Sequence, residues 1–382
     1  MNTKITFVTN INDISSEQWN KLAANQYPFL QHAFLAALES SGSVTTETGW
    51  QPFHLIATNS DTEQLMAAMP LYIKTHSYGE YIFDWAWADA YQRHGFRYYP
   101  KLLSAIPFTP VTGPRLLVAE PSNCPELTTE IFGRLKDTCI KTGLSSCHVL
   151  YPDTSSIQDI SKDWLQRHSV QFQWHNKGYA DFQDFLAGFS SRKRKNVKKE
   201  RDKITKQHIQ INRLTGDDIS EGDMQFFYSC YRETYLKRSG HGGYINEDCF
   251  LGWWRSMKNN MMLVRATLQG HPVAAALYFF DANGLYGRYW GALKDIDGLH
   301  FECCYYQGIE FCIEHHLPLF NPGTQGEHKI QRGFEPITCH SWHWIAEPAF
   351  QHAIANFTKE EQLQLSHYKQ QAKQLLPFKQ SD

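Results

Sequence analysis

The stretch MLVRATLQGHPVAAALY, residues 262–278, carries the clearest structural signal in the chain. Two apolar runs containing β-branched and aromatic residues flank Gly270 and Pro272, a combination typical of a β-hairpin turn. The run GLYGRYWGA at 284–292 follows and predicts a third strand. Beyond it, apolar side chains recur at helical spacing in LHFECCYYQGIEFCIE, residues 299–314, with Asp297 as the predicted N-cap. The segment therefore predicts an antiparallel meander followed by a helix.

A similar pattern occurs in the first half of the chain. The string HLIATNSDTEQLMAAMPLY at 54–72 gives way to GEYIFDWAWA at 79–88, which we interpret as a third, Trp-bearing strand. Such a repeat predicts a duplicated α/β unit, although the match needs a one-residue gap near Pro70 and coincidence is the alternative. The length of 382 residues predicts two domains, and the composition shifts at DTSSIQDISKD, 153–163, and NKGY, 176–179, bracket the join, so we expect domains at 1–165 and 166–382.

Charge is distributed unevenly along the chain. The formal net charge is −2 and the isoelectric point is about 6.8, which argues against a surface that binds nucleic acid throughout. However, eight of the thirteen residues in SRKRKNVKKERDK, 191–203, are Lys or Arg. On a helix, Arg194, Lys198 and Arg201 share one face, and Lys199 lies on a neighbouring face. The run therefore predicts a local anion site, and a solvated helix face without a ligand is the alternative.

Cysteine and histidine usage indicates a reduced protein without a metal site. The nine Cys include no C-x-x-C motif and the 18 His show no ligand spacing, so we expect free thiols and no bound metal. The N-terminus lacks the features of a signal peptide, and no window approaches the roughly 18 apolar residues of a membrane span. We therefore expect a soluble, cytoplasmic protein.

Several strings resemble those of a known family. HSYGEYIFDWAWADAYQRHGFRYYPKL, PFTPVTGPRLL, SRKRKNVKKER, LHFECCYYQGIEFCIE and GTQGEHKIQRGFEP are similar to the FemAB-like branch of the GNAT acyltransferase superfamily, a bacterial group labelled peptidoglycan-biosynthesis-like. The resemblance implies an α/β fold of two tandem GNAT-like domains, each a mixed, mostly antiparallel sheet flanked by helices. It also implies transfer of an acyl or aminoacyl group to an amine. Fem-type relatives use aminoacyl-tRNA as donor and a cell-wall precursor as acceptor, whereas ordinary GNAT enzymes use acetyl-CoA.

The segment LKDIDGLHFE, 293–302, departs from the ordinary GNAT pattern. The resemblance places there a loop of the form R/Q-x-x-G-x-G/A, whose amides at a helix N-terminus receive the CoA pyrophosphate. This chain has one glycine, Gly298, and two acidic residues, Asp295 and Asp297. The departure counts against conventional CoA binding, and both aminoacyl-tRNA and acyl-CoA remain donor hypotheses.

Candidate catalytic residues lie in two segments of the second half. Acyl transfer to an amine needs a base for the amine proton and groups that stabilise the developing oxyanion. The candidate acid and base residues are Glu302, Glu327, His328 and Tyr306. The Gly-rich loop adds the candidate substrate ligands Gln325, Lys329 and Arg332, of which the two cations would stabilise negative charge. Core packing and a solvated turn are the alternative interpretations of these segments.

Two further groups of residues are predicted to bind the substrates. The candidate donor ligands on the basic helix are Arg194, Lys198, Lys199 and Arg201. The candidate acceptor ligands in the first half are Lys74, Glu80, Asp84 and Trp87, because an aromatic-rich cleft with carboxylates suits a sugar or peptide. The alternative for the first half is a strand that turns Phe83 and Trp85 inward.

Together these patterns predict a FemAB-like N-acyltransferase that acts on a small-molecule or peptide amine, with tRNA as a candidate partner. Two alternatives stay open. One is an acetyl-CoA-dependent N-acetyltransferase of ordinary type, and the other is a catalytically degenerate module that binds tRNA or other RNA.

Overall fold

A computed structural model describes residues 3–23, 27–119, 125–153, 163–324 and 326–379. The chain forms two compact units. Unit 1 comprises residues 1–170 and 338–367, and unit 2 comprises residues 171–337 and 368–382. The segment 338–367 therefore packs with the first half of the chain, although it follows the second half in sequence.

Unit 1 begins with a strand and a helix, and the Ser15 side chain caps that helix by accepting from the Gln18 amide. Its strands are β1 (Thr3–Val8), β2 (Trp50–Pro52), β3 (His54–Asn59), β4 (Leu65–Met69), β5 (Tyr72–Lys74), β6 (Lys101–Ser104), β7 (Leu117–Val118) and β8 (Ser146–Leu150). Its helices are α1 (Ser16–Leu22), α2 (His32–Ser40), α3 (Trp85–Arg93), α4 (Pro125–Thr142) and α11 (Pro348–Gln374), whose last residues belong to unit 2. Strands β9 (Leu165–His175) and β15 (Glu335–Ile345) also run from one unit into the other.

Two sets of paired strands build unit 1. One is antiparallel, in the order β1-β3-β4-β7. The other has the order β15-β8-β6-β5-β2, in which β6 and β8 are parallel and the remaining pairs are antiparallel. Helix α4 buries Ile131, Leu135 and Cys139 in a core that also contains Leu102 and Val149.

The predicted third strand of the first half is wrong, because the Trp-bearing segment forms α3. Trp87 and Tyr91, four residues apart, lie on one face of this helix and pack with Phe350 in a buried cluster. Phe83 and Trp85 are 56% and 41% exposed, so the alternative of an inward-facing strand is also wrong. Helical spacing of the two buried aromatics therefore outweighs the strand-like alternation of Trp85 and Trp87.

Unit 2 contains the predicted meander and the predicted basic helix. Its remaining strands are β10 (Ile209–Thr215), β11 (Met261–Leu268), β12 (His271–Asp281), β13 (Gly284–Ala292) and β14 (Leu319–Asn321). Its helices are α5 (Phe182–Ala187), α6 (Ser191–Lys206), α7 (Glu221–Ser239), α8 (Glu247–Met257), α9 (Leu299–Phe301) and α10 (Gln307–Glu314). The strand order is β10-β11-β12-β13-β14-β9, antiparallel except for the parallel pair β13 and β14.

Helix α7 approaches β13 very closely. A Cβ at Gly291 would lie 2.1 Å from the backbone carbonyl carbon of Cys230, so a residue with a side chain does not fit there. The absence of that side chain lets helix and strand pack backbone to backbone.

The helix that follows the meander differs from its prediction in two ways. Gly298, with φ of +86°, occupies the N-cap position, whereas Asp297 pairs with Lys203 at 2.6 Å. Between α9 and α10, residues Glu302–Tyr306 form a π-helical turn, in which the Gln307 amide donates to the Glu302 carbonyl. π-Helical turns are rare in proteins, and those that occur are frequently found at functional sites.

No helix in the described part of the chain is long and apolar enough to span a membrane. Each of the eight described cysteines is a free thiol.

Candidate functional site

The candidate site of unit 2 lies where β13 and β14 separate. Among the described residues these parallel strands pair at Leu285–Phe320 and Tyr286–Asn321, whereas β13 continues along β12 to its end. Just beyond the last pair, Arg288 Nη1 donates to Asn321 Oδ1 at 3.3 Å. Crevices at the carboxyl ends of parallel strands are common ligand sites in α/β proteins.

Lys329 is buried close to the end of β14. It is 2% exposed, and its Nζ donates to the carbonyl oxygens of Gly323 at 2.8 Å and Thr324 at 3.0 Å. Burial, followed by the nearby Arg288 guanidinium, lowers the pKa of Lys329 to about 7. No carboxylate in the described ranges forms an ion pair with it. The described hydrogen-bond partners of the Lys329 side chain are therefore two backbone carbonyls.

His328 lies next to Lys329 and is exposed to solvent. Its Nε2 is 2.8 Å from the Tyr305 hydroxyl, and its ring also contacts Phe301. Burial of the ring nitrogens and the charges of Arg332 and Lys329 lower the pKa of His328 below its ordinary value. The neutral imidazole that results can accept a proton, so the geometry is consistent with the predicted base.

Glu302, another predicted base, is occupied by an ion pair. Arg201 donates to Glu302 from Nε at 3.1 Å and from Nη2 at 2.8 Å, and to Glu310 from Nη1 at 2.6 Å. Gln307 Nε2 adds a third bond to Glu302 at 2.7 Å. Because these donors satisfy a carboxylate of a residue that is 4% exposed, the structure argues against Glu302 as a free base. The same ion pair occupies the guanidinium of Arg201, which was predicted to bind the donor's phosphates.

Tyr306 and Arg332 form a second cluster with Glu200. The Tyr306 hydroxyl donates to Glu200 and accepts from Arg332 Nε at 3.1 Å. Arg332 also donates to Glu200 at 2.8 Å and to the His328 carbonyl at 2.7 Å, and its guanidinium lies 3.5 Å from the Phe301 ring centroid. Burial raises the pKa of Tyr306 well above its ordinary value. The two residues therefore hold the turn that carries His328 and Lys329.

Sequence reasoning missed Glu200 and Glu310, which are the partners of these two clusters. Glu200 and Arg201 are consecutive on α6, and they clamp the π-helical turn and α10 with opposite charges. The signal available was an acidic residue inside a basic run, which does not identify a partner about 100 residues away. The hydroxyl of Tyr278 donates to the Cys303 carbonyl and so satisfies an acceptor in the π-helical turn.

The other predicted residues of the Gly-rich segment have simpler surroundings. Glu327–Arg332 form a 3-10 helix, a more ordered element than the predicted loop. Glu327 is exposed and accepts from the Tyr368 hydroxyl at 2.9 Å. Gln325 lies outside the described residues.

The basic run forms α6 as predicted, with Val197 and Ile204 buried. Lys198 and Lys199 are exposed and Arg194 is partly exposed. Lys198 lines an open cleft of about 490 Å³.

The predicted acceptor ligands of the first half lie in the interior of unit 1. Lys74, Glu80, Asp84 and Trp87 are all at most 4% exposed. Glu80 and Asp84 accept hydrogen bonds from Lys101, and Lys74 donates to the Tyr78 carbonyl, so these polar groups have partners within unit 1 and the acceptor role stays a prediction. The four residues belong to a polar network around Lys101.

Lys101 is the centre of this network. Its Nζ donates to Ser77 Oγ and Glu80 Oε2, both at 2.8 Å, and to Asp84. Lys74 stands directly opposite Lys101 in the pairing of β5 and β6, where like charges repel. Burial raises the pKa of Glu80 to about 7, although the Lys101 ammonium acts in the opposite direction. Burial lowers the pKa of Lys74 to about 7.

The network extends through aromatic side chains. Tyr98 donates to Asp84 at 2.6 Å and lies 3.2 Å from His148, whose Nδ1 is 2.6 Å from His343 Nδ1. Burial would raise the pKa of Asp84, but the Lys101 ammonium lowers it below its ordinary value. Burial lowers the pKa of His148 to about 3. Within the described residues no group of three or more His, Cys, Asp or Glu side chains is placed to hold a metal ion.

Comparison with known proteins identifies the family. The model of the FemAB-like family, described as peptidoglycan biosynthesis and recognition, matches residues 10–380. No protein with a curated description matches the sequence.

Solved structures support the same fold. The chain is similar to FemX, with 12% identity, coverage of 88% of this chain and 98% of that chain, and a TM-score of 0.51. It is also similar to the C-terminal domain of a putative lysylphosphatidylglycerol synthetase from Agrobacterium fabrum, with 7% identity, coverage of 90% and 95%, and a TM-score of 0.51. A conserved protein of unknown function from Bacteroides thetaiotaomicron gives 10% identity, coverage of 89% and 99%, and a TM-score of 0.50.

These likenesses concern the fold, and they confirm the predicted mixed α/β architecture of mostly antiparallel sheets flanked by helices. The family match covers nearly the whole chain and includes both units. The chain therefore belongs to the FemAB-like family.

Proposed function

We propose that this protein transfers an aminoacyl group from an activated ester to an amine, with unit 2 supplying the chemistry. The observation that carries the proposal is the placement of Lys329. It is a buried amine without a carboxylate partner among the described residues, and it donates to two backbone carbonyls just after the end of β14. With a pKa of about 7, Lys329 is partly protonated near neutral pH, and a desolvated ammonium stabilises an oxyanion more strongly than one in water does.

The reaction forms one bond and breaks one. The acceptor nitrogen bonds to the donor's carbonyl carbon, and the bond from that carbon to the donor's ester oxygen breaks. The neutral imidazole of His328 takes the proton of the attacking amine, with Tyr305 at 2.8 Å to orient the ring, and the leaving oxygen receives a proton. Lys329 holds the oxyanion of the intermediate, and Arg332 supports the turn that presents both residues.

The donor's phosphates would contact the exposed basic face of α6. Lys199 is exposed on that helix, whereas Arg201 is held by Glu302 and Glu310. An aminoacyl-tRNA donor is favoured over acyl-CoA, because the position of the usual pyrophosphate loop holds the ion pair of Asp297 and Lys203 and begins a helix of three residues. The acceptor is an amine, and the family description supports a peptidoglycan precursor.

The test offers radiolabelled aminoacyl-tRNA and acetyl-CoA in parallel, together with a peptidoglycan-precursor peptide that carries a free amine. We expect transfer from aminoacyl-tRNA by the native protein and by the control variant Lys141→Met, which changes an exposed lysine at the end of α4 in unit 1. We expect a loss of at least about 100-fold in Lys329→Met, the size typical of removing one oxyanion donor.

Three results would contradict the proposal in different ways. Consumption of acetyl-CoA alone would establish the acetyltransferase alternative. Full activity of Lys329→Met would remove the residue on which the proposal depends. Binding of tRNA without any transfer would favour the RNA-binding module.

A further inference from the structure

The cleft beside α6 has the composition of a small-molecule site. Its volume is about 490 Å³, within the range of ligand pockets. It lies entirely in unit 2, and its apolar wall comes from α5, from the end of α6 and from the edge strand β10. The residues of that wall are Phe182, Leu186, Ile204, Ile209 and Ile211.

Four charged residues line the polar side of the cleft, and two of them, Arg201 and Glu302, pair with each other. Lys198 and Asp202 are four residues apart on α6, so their side chains emerge on one face about 5–6 Å apart at Cβ. Both are exposed and both line the cleft. Within the described part of the chain, neither side chain forms an ion pair with the other or with a third residue. They differ in this from Arg201, whose guanidinium is fully engaged by Glu302 and Glu310.

We infer that the cleft binds a free α-amino acid with an apolar side chain. The α-carboxylate would pair with Lys198, and the α-ammonium would pair with Asp202. The carboxylate and ammonium groups of an α-amino acid are attached to the same carbon, and this spacing matches a cation and an anion separated by one helical turn. Its side chain would then lie on Ile204 and Ile209. An ester donor lacks the free carboxylate, so this ligand is distinct from the donor of the proposed reaction.

Each part of the ligand has one counterpart in the cleft, and this makes the inference testable by subtraction. Charge-assisted hydrogen bonds are about twice as strong as neutral ones, and burial of a branched apolar side chain contributes a similar amount. Removal of any one group should therefore weaken binding at least about tenfold.

The experiment is a ligand-observed NMR titration of the full chain with L-leucine. We expect saturable line broadening of the leucine methyl signals. Three probes lack one group each: glycine has no side chain, L-leucinamide has no carboxylate and N-acetyl-L-leucine has no ammonium. Each should bind at least about tenfold more weakly than L-leucine.

The variants Lys198→Met and Asp202→Asn should weaken L-leucine binding by the same factor. Lys206→Met is the matched control, because it removes an exposed lysine of the same helix that does not line the cleft. All three positions are exposed, so the variants should fold, and circular dichroism verifies this. The readout is binding and needs no transfer, so it succeeds or fails independently of the proposed function.

The inference is overturned if L-leucine gives no saturable signal with the native protein. It is also overturned if L-leucinamide or N-acetyl-L-leucine binds as tightly as L-leucine, since one charge would then be unused. Equal binding of glycine would show that the apolar wall takes no part, and equal weakening by Lys206→Met would show a non-specific charge effect.

Discussion

Replacing Lys329 with methionine should change how the stability of the protein depends on pH. Burial lowers the pKa of Lys329 from 10.5 to about 7 in the folded protein. Between these two values the unfolded chain holds a proton that the folded chain has released. Unfolding then takes up a proton, and the free energy of unfolding rises with pH by up to ~1.4 kcal/mol per pH unit.

The structure sets the size of the effect. Over two pH units, from about 7.5 to about 9.5, Lys329 should add roughly 2–3 kcal/mol to the stability of the native protein. Methionine has no titrating group, so this contribution vanishes in the variant. The absolute stability is less informative, because methionine also leaves the carbonyls of Gly323 and Thr324 without their donor, at about 1–3 kcal/mol each.

The assay is urea unfolding, followed by tryptophan fluorescence at the two pH values, for the native protein, Lys329→Met and the control Lys206→Met. Other titrating groups affect all three proteins alike and cancel in the comparison. The native protein and the control should share one pH slope, and Lys329→Met should show a flatter one. Identical slopes in all three would refute the reasoning, because Lys329 would then keep its proton when folded.

Three further predictions concern the clusters of both units. Arg201→Met should lower the free energy of unfolding by ~3–5 kcal/mol, because it leaves buried carboxylate charge unpaired. Arg201→Lys should recover only part of this loss, because lysine restores the charge but cannot form the bidentate pair. Equal urea midpoints for the native protein and the two variants would contradict this. The pKa of Glu80 is raised from 4.5 to about 7, so this group contributes stability that is fully present below pH 4.5 and is lost as the pH rises through about 7. The melting temperature should therefore change less with pH across this window in Glu80→Gln than in the native protein. Trp87→Ala should cost ~3–5 kcal/mol, whereas Trp85→Ala should cost under about 1 kcal/mol, and similar losses in both would place Trp85 in the core.

The elements that sequence analysis predicted correctly have local signals. The meander β11–β13 depends on neighbouring strands joined by short turns, and its hairpin residues stand next to each other in the chain. Helix α6 depends on Val197 and Ile204, which recur at helical spacing. The error at α3 also has a local cause, because Trp85 and Trp87 alternate as in a strand while Trp87 and Tyr91 recur as in a helix.

The arrangement of the candidate site could be predicted only in part. The residue types in 299–332 indicate acyl-transfer chemistry, yet sequence alone does not show which of them neutralise one another. Arg201 and Glu302 were assigned to different substrates and roles, but they pair across about 100 residues of sequence. The return of 338–367 to unit 1 is another long-range contact without a local signal. The division of the chain into acceptor and donor domains at 165/166 stays a prediction.

The π-helical turn makes chain length a determinant of the Arg201 clamp. In an α-helix each residue advances the side-chain direction by about 100°, so deletion of one residue from 303–306 would rotate everything that follows by that angle. Glu302, before the deletion, would keep its place, while Glu310 would turn away from Arg201 and leave the guanidinium half neutralised. A chain that lacks one residue at this point would therefore need a different anion on α10 to neutralise the guanidinium.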